Sequence, residues 1–286
     1  MNIPVYGVED VLLDNQTGLL YVNPTLSETA PLHTHSFYEF FVVTSGSALH
    51  LINSSIQTIS FGDFIFIRPK DVHCYDFYHS EDFQIENVGF GIDHFESIEK
   101  FLHNTEKMNP LIESSSPPYV HLSEADTEAV KKAFQVIGKL IQAGPSSHAI
   151  CHAKSILALM FSDYFFSYEG NLSAAAVLPS WLSNLLLEMQ KIENLQKGFT
   201  KMLSLSSYTK NHLCRVMKAY LQMTPTEYIN EKRLDYAVYL LTQTSYEIIE
   251  ISELCGFHNL SHFYHLFKSN YQCSPLKFRS THKPSI

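Results

Sequence analysis

Two groups of residues in this 286-residue sequence have types and spacings that do chemistry. The first is His33-x-His35-x3-Glu39, joined further along, after Gly62-x10, by His73. Three imidazoles and a carboxylate suit a divalent ion such as Zn, Ni, Mn or Fe. The same four groups suit hydrogen bonds to the hydroxyls of a small effector. Positions 33, 35 and 39 are all odd, so on an extended strand their side chains leave one face. A metal site, an effector site and a plain polar layer are all open on these residues alone.

The elements that hold this group read as strands. Residues 1 to about 95 are rich in Phe, Tyr, Val and Ile, with turn residues at short intervals and no helical stripe. The runs Phe37 to Val43, Ala48 to Ile52, Phe64 to Ile67 and Ile85 to Phe90 are bounded by Gly46, Asn53, Gly62 and Gly89, which predicts a small barrel or jelly roll. Phe37, Tyr38, Phe40, Tyr75 and Phe77 read mostly as core, with some placed to stack on a sugar ring if their faces line the cavity. From Ser123 the apolar period becomes helical: Val130, Ala133, Phe134, Ile137, Leu140 and Ile141, then Ile150, Ala153, Leu157, Met160, Phe161 and Tyr164 after Gly144-Pro145. Those two stripes either cover the barrel or pair with a second subunit, and the expectation is a homodimer. The predicted division is an effector-binding barrel at 1–122, dimerisation helices at 123–170, a Gly/Asn/Ser/Ala linker at 171–178 and an all-helical domain at 179–286.

The second group emerges from an internal repeat. Thr209 to Tyr228 falls in register with Asn259 to Phe278 at an offset of 50 residues: His212 meets His262, Lys218 meets Lys268, and Thr224-Pro225 meets Ser274-Pro275. Thr209 and Asn259 are both N-cap residues, so each segment opens a helix at the same point. Leu213, Val216 and Met217 correspond to Phe263, Leu266 and Phe267, which leaves Asn211, Arg215 and Lys218, and likewise Ser261, His265 and Lys268, on the opposite face. A short helix before each (roughly Thr200 to Ser206 and Tyr246 to Leu254) and a tight turn make a helix-turn-helix twice over. Lys210, Lys218 and Lys268 are placed to neutralise phosphates, while Asn, Arg, Ser and His side chains read base edges. A linking helix from Pro225 to about Thr242, roughly 27 Å long, suits two reading helices about 34 Å apart, one turn of DNA.

The run Ile248-x2-Ile251-x3-Cys255-Gly256-Phe257-x3-Ser261-x-Phe263-x3-Phe267-Lys268-x5-Ser274-Pro275-x2-Phe278-Arg279 resembles the signature of the AraC/XylS transcription regulators. Leu213-x-Arg215-x2-Lys218 and Arg233-x3-Ala237-x2-Leu240-Leu241 resemble that family's first motif and connecting helix. The resemblance implies base contacts at Asn211, Cys214 and Arg215 in the first unit, and at Leu260, Ser261, Tyr264 and His265 beside Asn259 in the second. Gln272 stands where the family usually has Gly, implying a positive φ. The His/Glu spacing resembles the first motif of the cupins, the second being altered by Arg68 and Lys70. Cupin barrels are the usual sensors of this regulator family, and the arrangement looks most like regulators of chitobiose- or cellobiose-type disaccharide uptake. The fold implied is an α+β multidomain chain: a cupin-like barrel with helices, then an all-α double helix-turn-helix.

Charge supports the division. Residues 1–178 carry 8 Lys+Arg against 21 Asp+Glu, a net −13, and 179–286 carry 12 against 8, a net +4, which sum to the chain's −9. The basic half suits double-stranded DNA. No run of about 18 apolar residues suggests a membrane span, and no N-terminal segment reads as a secretory signal, so a cytoplasmic protein is expected. Five cysteines without a CxxC pair argue against a disulfide scaffold. The expected function is a non-enzymatic, effector-responsive transcription regulator. The rival is a metal-dependent cupin enzyme, which leaves the helix-turn-helix pair without a purpose. A third reading makes the barrel a dimerisation module only.

Overall fold

Alternation of apolar residues on both faces of a strand demands cover on both sides, and the fold supplies it with a second sheet on one side and helices on the other. The computed structural model describes residues 5–6, 16–25, 32–77, 82–167 and 178–282. The chain divides into two compact units, 2–177 and 178–286. Most of the expected linker, 171–177, lies outside the described residues.

In the first unit, β2 (Leu19–Val22), β4 (Tyr38–Ser45), β7 (Asp63–Ile67), β9 (Gln84–Phe90) and β10 (Tyr119–His121) form a sheet in the order β10-β7-β4-β9-β2. A second sheet has the order β6-β5-β8, from β5 (Ser47–Ile52), β6 (Ser55–Ser60) and β8 (His73–Phe77), and the short β1 (Val5–Tyr6) and β3 (Thr34–His35) pair in parallel. Asn53 and Ser54 both take positive φ between β5 and β6, as a two-residue hairpin turn of the favoured hand requires. Phe41, Val43, Ile65, Ile67 and Ile85 of the first sheet pack with Ala48, Ile52, Ile59 and Tyr75 of the second.

The other face of the first sheet, including Phe40, Val42, Phe64, Phe66, Val88 and Phe90, is covered by helices. α3 (Glu124–Gln142) and α4 (Ser147–Met160), the latter continued by a wider turn at Phe161–Phe165, set Val130, Phe134, Ile137, Leu157 and Phe161 against it. The apolar stripes expected to pair with a second subunit are therefore spent on the sheet. Two further helices, α1 (Ile92–Leu102) and α2 (Thr105–Glu113), occupy a stretch that the sequence reading includes in the barrel.

The second unit is all helix: α5 (Ser180–Met189), α6 (Ile192–Ser206), α7 (Lys210–Leu221), α8 (Pro225–Gln243), α9 (Ile248–Leu254), α10 (Leu260–Tyr271) and α11 (Pro275–His282). α6 is broken at Gly198, whose φ of 63° and ψ of −146° are non-helical, so its last turns are the short helix expected from Thr200. Thr224 and Glu227 form a reciprocal cap at the start of α8. No helix among the described residues is long and apolar enough to cross a membrane.

Candidate functional site

The four histidine and glutamate positions of the first motif converge, but not along one strand. On a continuous strand residues 35 and 39 stand about 13 Å apart. Here the chain bends at Ser36-Phe37 between β3 and β4, and His35 Nε2 lies 3.4 Å from Glu39 Oε2. That corrects the one-strand expectation while keeping the residues together. His73 on β8 closes the group: one ligating atom each from His35, Glu39 and His73 lie within 4.8 Å of one another. His33 is bound backbone to backbone with His73 (3.0 and 2.9 Å) and its ring stands 4.4 Å from the His73 ring, yet it does not join that compact set.

Two sheets present this layer. Glu39 is opposite Gly89 in the β4–β9 register, and His50 on β5 is opposite both Gln57 on β6 and Tyr75 on β8. A Cβ on Gly89 would sit 2.9 Å from the Phe37 ring. The absent side chain lets Phe37 stack on His35 at 4.2 Å, and Phe37's carbonyl accepts from His35 Nδ1 at 2.7 Å. Because a carbonyl only accepts, Nδ1 carries the proton and Nε2 is left with a bare lone pair. His50 is poised the other way. Gln57 Nε2 donates to His50 Nδ1 at 3.0 Å, so His50 Nε2 holds the hydrogen. His50 was missed in the sequence, although its parity with Ala48 and Ile52 points it inward.

The layer is buried, and burial favours the uncharged forms of its groups. Burial pushes the His35 and His50 imidazoles down to about 4 and about 3, and His73 well below its ordinary value. The same desolvation pushes Glu39 up to about 8, against an opposing hydrogen bond from Asn87. His35 Nε2, Glu39 Oε1, His50 Nε2, both nitrogens of His73 and the Tyr75 hydroxyl are buried without a hydrogen-bond partner. Buried polar atoms are nearly always satisfied in native proteins, so a cluster of this size is unusual.

In the second unit the side chains expected to meet DNA stand outward. Lys210, Asn211, Arg215, Lys218, Asn259, Leu260, Ser261, Tyr264, His265 and Lys268 are exposed, and Cys214 is half-buried. Thr209 and Asn259 cap α7 and α10 by accepting from His212 N and His262 N. Both helices end in a left-handed glutamine, Gln222 at φ 59° and Gln272 at φ 55°, so the positive φ inferred at Gln272 is present in both halves of the repeat. Lys218 is engaged by Glu227 at 3.2 Å and by the Gln222 carbonyl at 3.0 Å. His212 stacks on Tyr208 at 4.6 Å, and its counterpart His262 is exposed.

Residues 19–157 match the family of AraC-like ligand binding domains, and residues 204–281 match a helix-turn-helix domain family. The chain belongs to the AraC-type transcription regulators. The HTH-type transcriptional activator RhaS of Enterobacter sp. (strain 638) is 28% identical to it over 275 residues, 93% of each chain. RhaS of Salmonella schwarzengrund is 28% identical over 267 residues, 90% of this chain and 91% of that one. Among solved structures, an apo ToxT from Vibrio cholerae strain SCE256 aligns with 95% of this chain and 100% of its own, at 14% identity and a TM-score of 0.41. This AraC-type protein is thus a DNA-binding regulator carrying a ligand-binding domain, and not the metal-dependent enzyme of the rival reading.

Proposed function

We propose that this regulator responds to a neutral, hydroxyl-rich effector, a sugar or disaccharide, bound against the polar layer of His35, Glu39, His50, His73 and Tyr75, with His33 at its edge. The observation that carries the reading is the set of buried polar atoms without partners. They offer both donors and acceptors on groups that burial holds uncharged, which matches hydroxyls, each a donor and an acceptor, better than an ionic ligand. A panel of mono- and disaccharides, chitobiose and cellobiose included, is expected to contain a compound that raises the melting temperature and changes operator affinity. Tyr75→Phe should weaken that response. A panel with no active member, or a response untouched in both Tyr75→Phe and His50→Ala, overturns the assignment. Activation is the expected direction of control, as the name of the RhaS relatives states for them.

On the DNA side, Asn211, Cys214 and Arg215 of α7 and Leu260, Ser261, Tyr264 and His265 of α10 are assigned to base edges. Lys210, Asn259, Lys218 and Lys268 are assigned to the backbone. Arg215→Ala should weaken operator binding by about 1 to 3 kcal/mol and relax preference at one base pair, because bidentate Arg to guanine is the commonest specific contact. Lys268→Ala should weaken all sequences alike and reduce the salt slope by about 1. Competition binding at several salt concentrations distinguishes the two, and an Arg215→Ala variant with unchanged affinity and base preference sinks the base-reading role. We also propose a homodimer. α4 keeps Leu159 half exposed after the stripe has covered the sheet. Sedimentation of the full chain as a monomer at tens of micromolar counts against this.

A further inference from the structure

Arg215 does not stand alone on the outward face of α7. Three residues earlier is His212, at a spacing where two side chains of a helix meet, and its Nδ1 lies 3.3 Å from Arg215 Nη2. A guanidinium only donates, so Nδ1 accepts and the hydrogen of the neutral imidazole sits on Nε2. The ring is itself held. It stacks on Tyr208 at 4.6 Å with 21° between the planes, Tyr208 packs on Trp181 at 4.5 Å, and the Trp181 and His212 rings stand 5.9 Å apart. Trp181 belongs to the first turn of α5, and Tyr208 directly precedes the Thr209 cap of α7. Rings from α5, from the turn before α7 and from α7 itself therefore fix one imidazole beside an exposed arginine.

The repeat supplies its own control. His262 holds the equivalent place on α10, and its backbone N–H is capped by Asn259 as that of His212 is by Thr209. Its side chain is exposed, it meets Phe257 edge-on at 6.3 Å, and the residue three further along is His265 instead of arginine. The same residue type stands at the same place twice, braced against an arginine in the first unit only.

We propose that His212 is a positioning residue: through Nδ1 it holds the Arg215 guanidinium ready for a base edge, and so sets how sharply α7 reads sequence. A free arginine samples many rotamers and loses that freedom on reaching a base, whereas one tied to a stacked ring has lost part of it already. The tie leaves the reading chemistry intact. Arginine has five N–H donors, and one given to His212 leaves four, where bidentate contact with guanine takes two. The inference rests on the assignment of Arg215 to a base edge and adds a residue that acts through it.

The test is base discrimination by the full chain. The probe is a duplex selected by the wild type from a pool of random-sequence DNA, with each base pair of the selected site then changed in turn and affinities compared at one salt concentration. Arg215→Ala identifies the base pair that Arg215 reads, as the one whose preference it relaxes. His212→Phe keeps a flat ring for Tyr208 and Trp181 but has no acceptor, and it is expected to lower discrimination at that same base pair by about three-fold or more, with preferences elsewhere unchanged. In the Arg215→Ala background it should change nothing further, and His262→Phe should leave that base pair as in the wild type. Circular dichroism confirms that each variant is folded, and should His212→Phe fail to fold, His212→Leu takes its place. Discrimination unchanged in folded His212→Phe, an equal loss of affinity for every duplex, or the same loss with Arg215 already replaced overturns the inference. The two readings separate: relaxed preference in Arg215→Ala beside full preference in His212→Phe strikes His212 alone, and an Arg215→Ala variant with every preference intact removes both.

Discussion

Replacing Arg233 with Ala is expected to lower the melting temperature of the DNA-binding unit by about 10 °C or more and to abolish operator binding at physiological temperature. The guanidinium, on α8, donates to the Leu195 carbonyl from Nε (3.0 Å) and a terminal nitrogen (2.7 Å), and to the Gln196 carbonyl at 3.2 Å. It lies over the Phe257 ring at 5.6 Å. It also occupies space in which a Cβ on Gly198 or on Gly256 would come within 3.1 and 3.2 Å of it. Those glycines mark the break in α6 and the turn between α9 and α10, so one side chain braces both helix-turn-helix units. Hydrogen bonds from a charged donor contribute about 1.5 to 3 kcal/mol each, and removing the donor leaves carbonyls unpaired. A combined loss of about 3 to 5 kcal/mol is a large part of the 5 to 15 kcal/mol that keeps a domain folded. Lys is expected to rescue little, because its single ammonium cannot reproduce the planar fork. Thermal unfolding followed by circular dichroism checks this, and a melting temperature within about 2 °C of wild type refutes the bracing role.

The metal-free, effector-free protein is expected to be most stable near pH 6.5 and to lose stability on both sides. His35 and His50 have folded values depressed to about 4 and about 3, and His73 is depressed too. Below an unfolded value of about 6.5 the unfolded chain takes up protons that the folded chain refuses, so stability falls as pH drops. Glu39, raised to about 8, has the opposite sign. It keeps its proton in the folded state above an unfolded value of about 4.3, so its contribution is lost as pH rises toward 8. Below about pH 6.5 the depressed histidines outweigh the one glutamate, so stability rises with pH there. From about 6.5 to 8 Glu39 acts in the opposite sense, so stability falls as pH rises. Melting temperatures across this range, in chelator, should trace an asymmetric peak whose alkaline limb disappears in Glu39→Gln. A curve still rising from pH 6.5 to 8 would show Glu39 ionised in the folded chain.

What the sequence disclosed and what it withheld follow from the range of the forces involved. The 50-residue repeat, both N-caps and the inward Phe263 and Phe267 were legible because capping and helical periodicity are local. The strands at Phe37–Val43 and Phe64–Ile67 were legible for the same reason, each lying within or beside an observed strand. The bend at Ser36-Phe37 was not, since it exists to bring His35 onto Glu39 and carries no Gly or Pro. Arg68 entered as a departure from a motif. Its Nη1 reaches the carbonyls of Leu111, Ile112 and Ser114, 43 to 46 residues away, closing the end of α2. No local pattern encodes such a contact. His50 was overlooked because it sits alone among Leu and Ile, where only strand parity marks it as facing the histidines.

The repeat also gives each chain a direction on DNA. α7 and α10 begin at equivalent caps and end at equivalent left-handed glutamines, so their frames are interchangeable. Their outward faces are not: α7 shows Asn211 and Arg215, and α10 shows Leu260, Ser261, Tyr264 and His265. One face carries a permanent cation for guanine and the other a thymine-compatible apolar and aromatic surface. On the proposed assignment of these faces to base edges, a single chain demands two unlike half-sites in a fixed order, and the site it occupies has a head and a tail. Inverting that stretch of DNA within a promoter turns the bound chain to point the other way, toward different neighbours, without altering a single base contact.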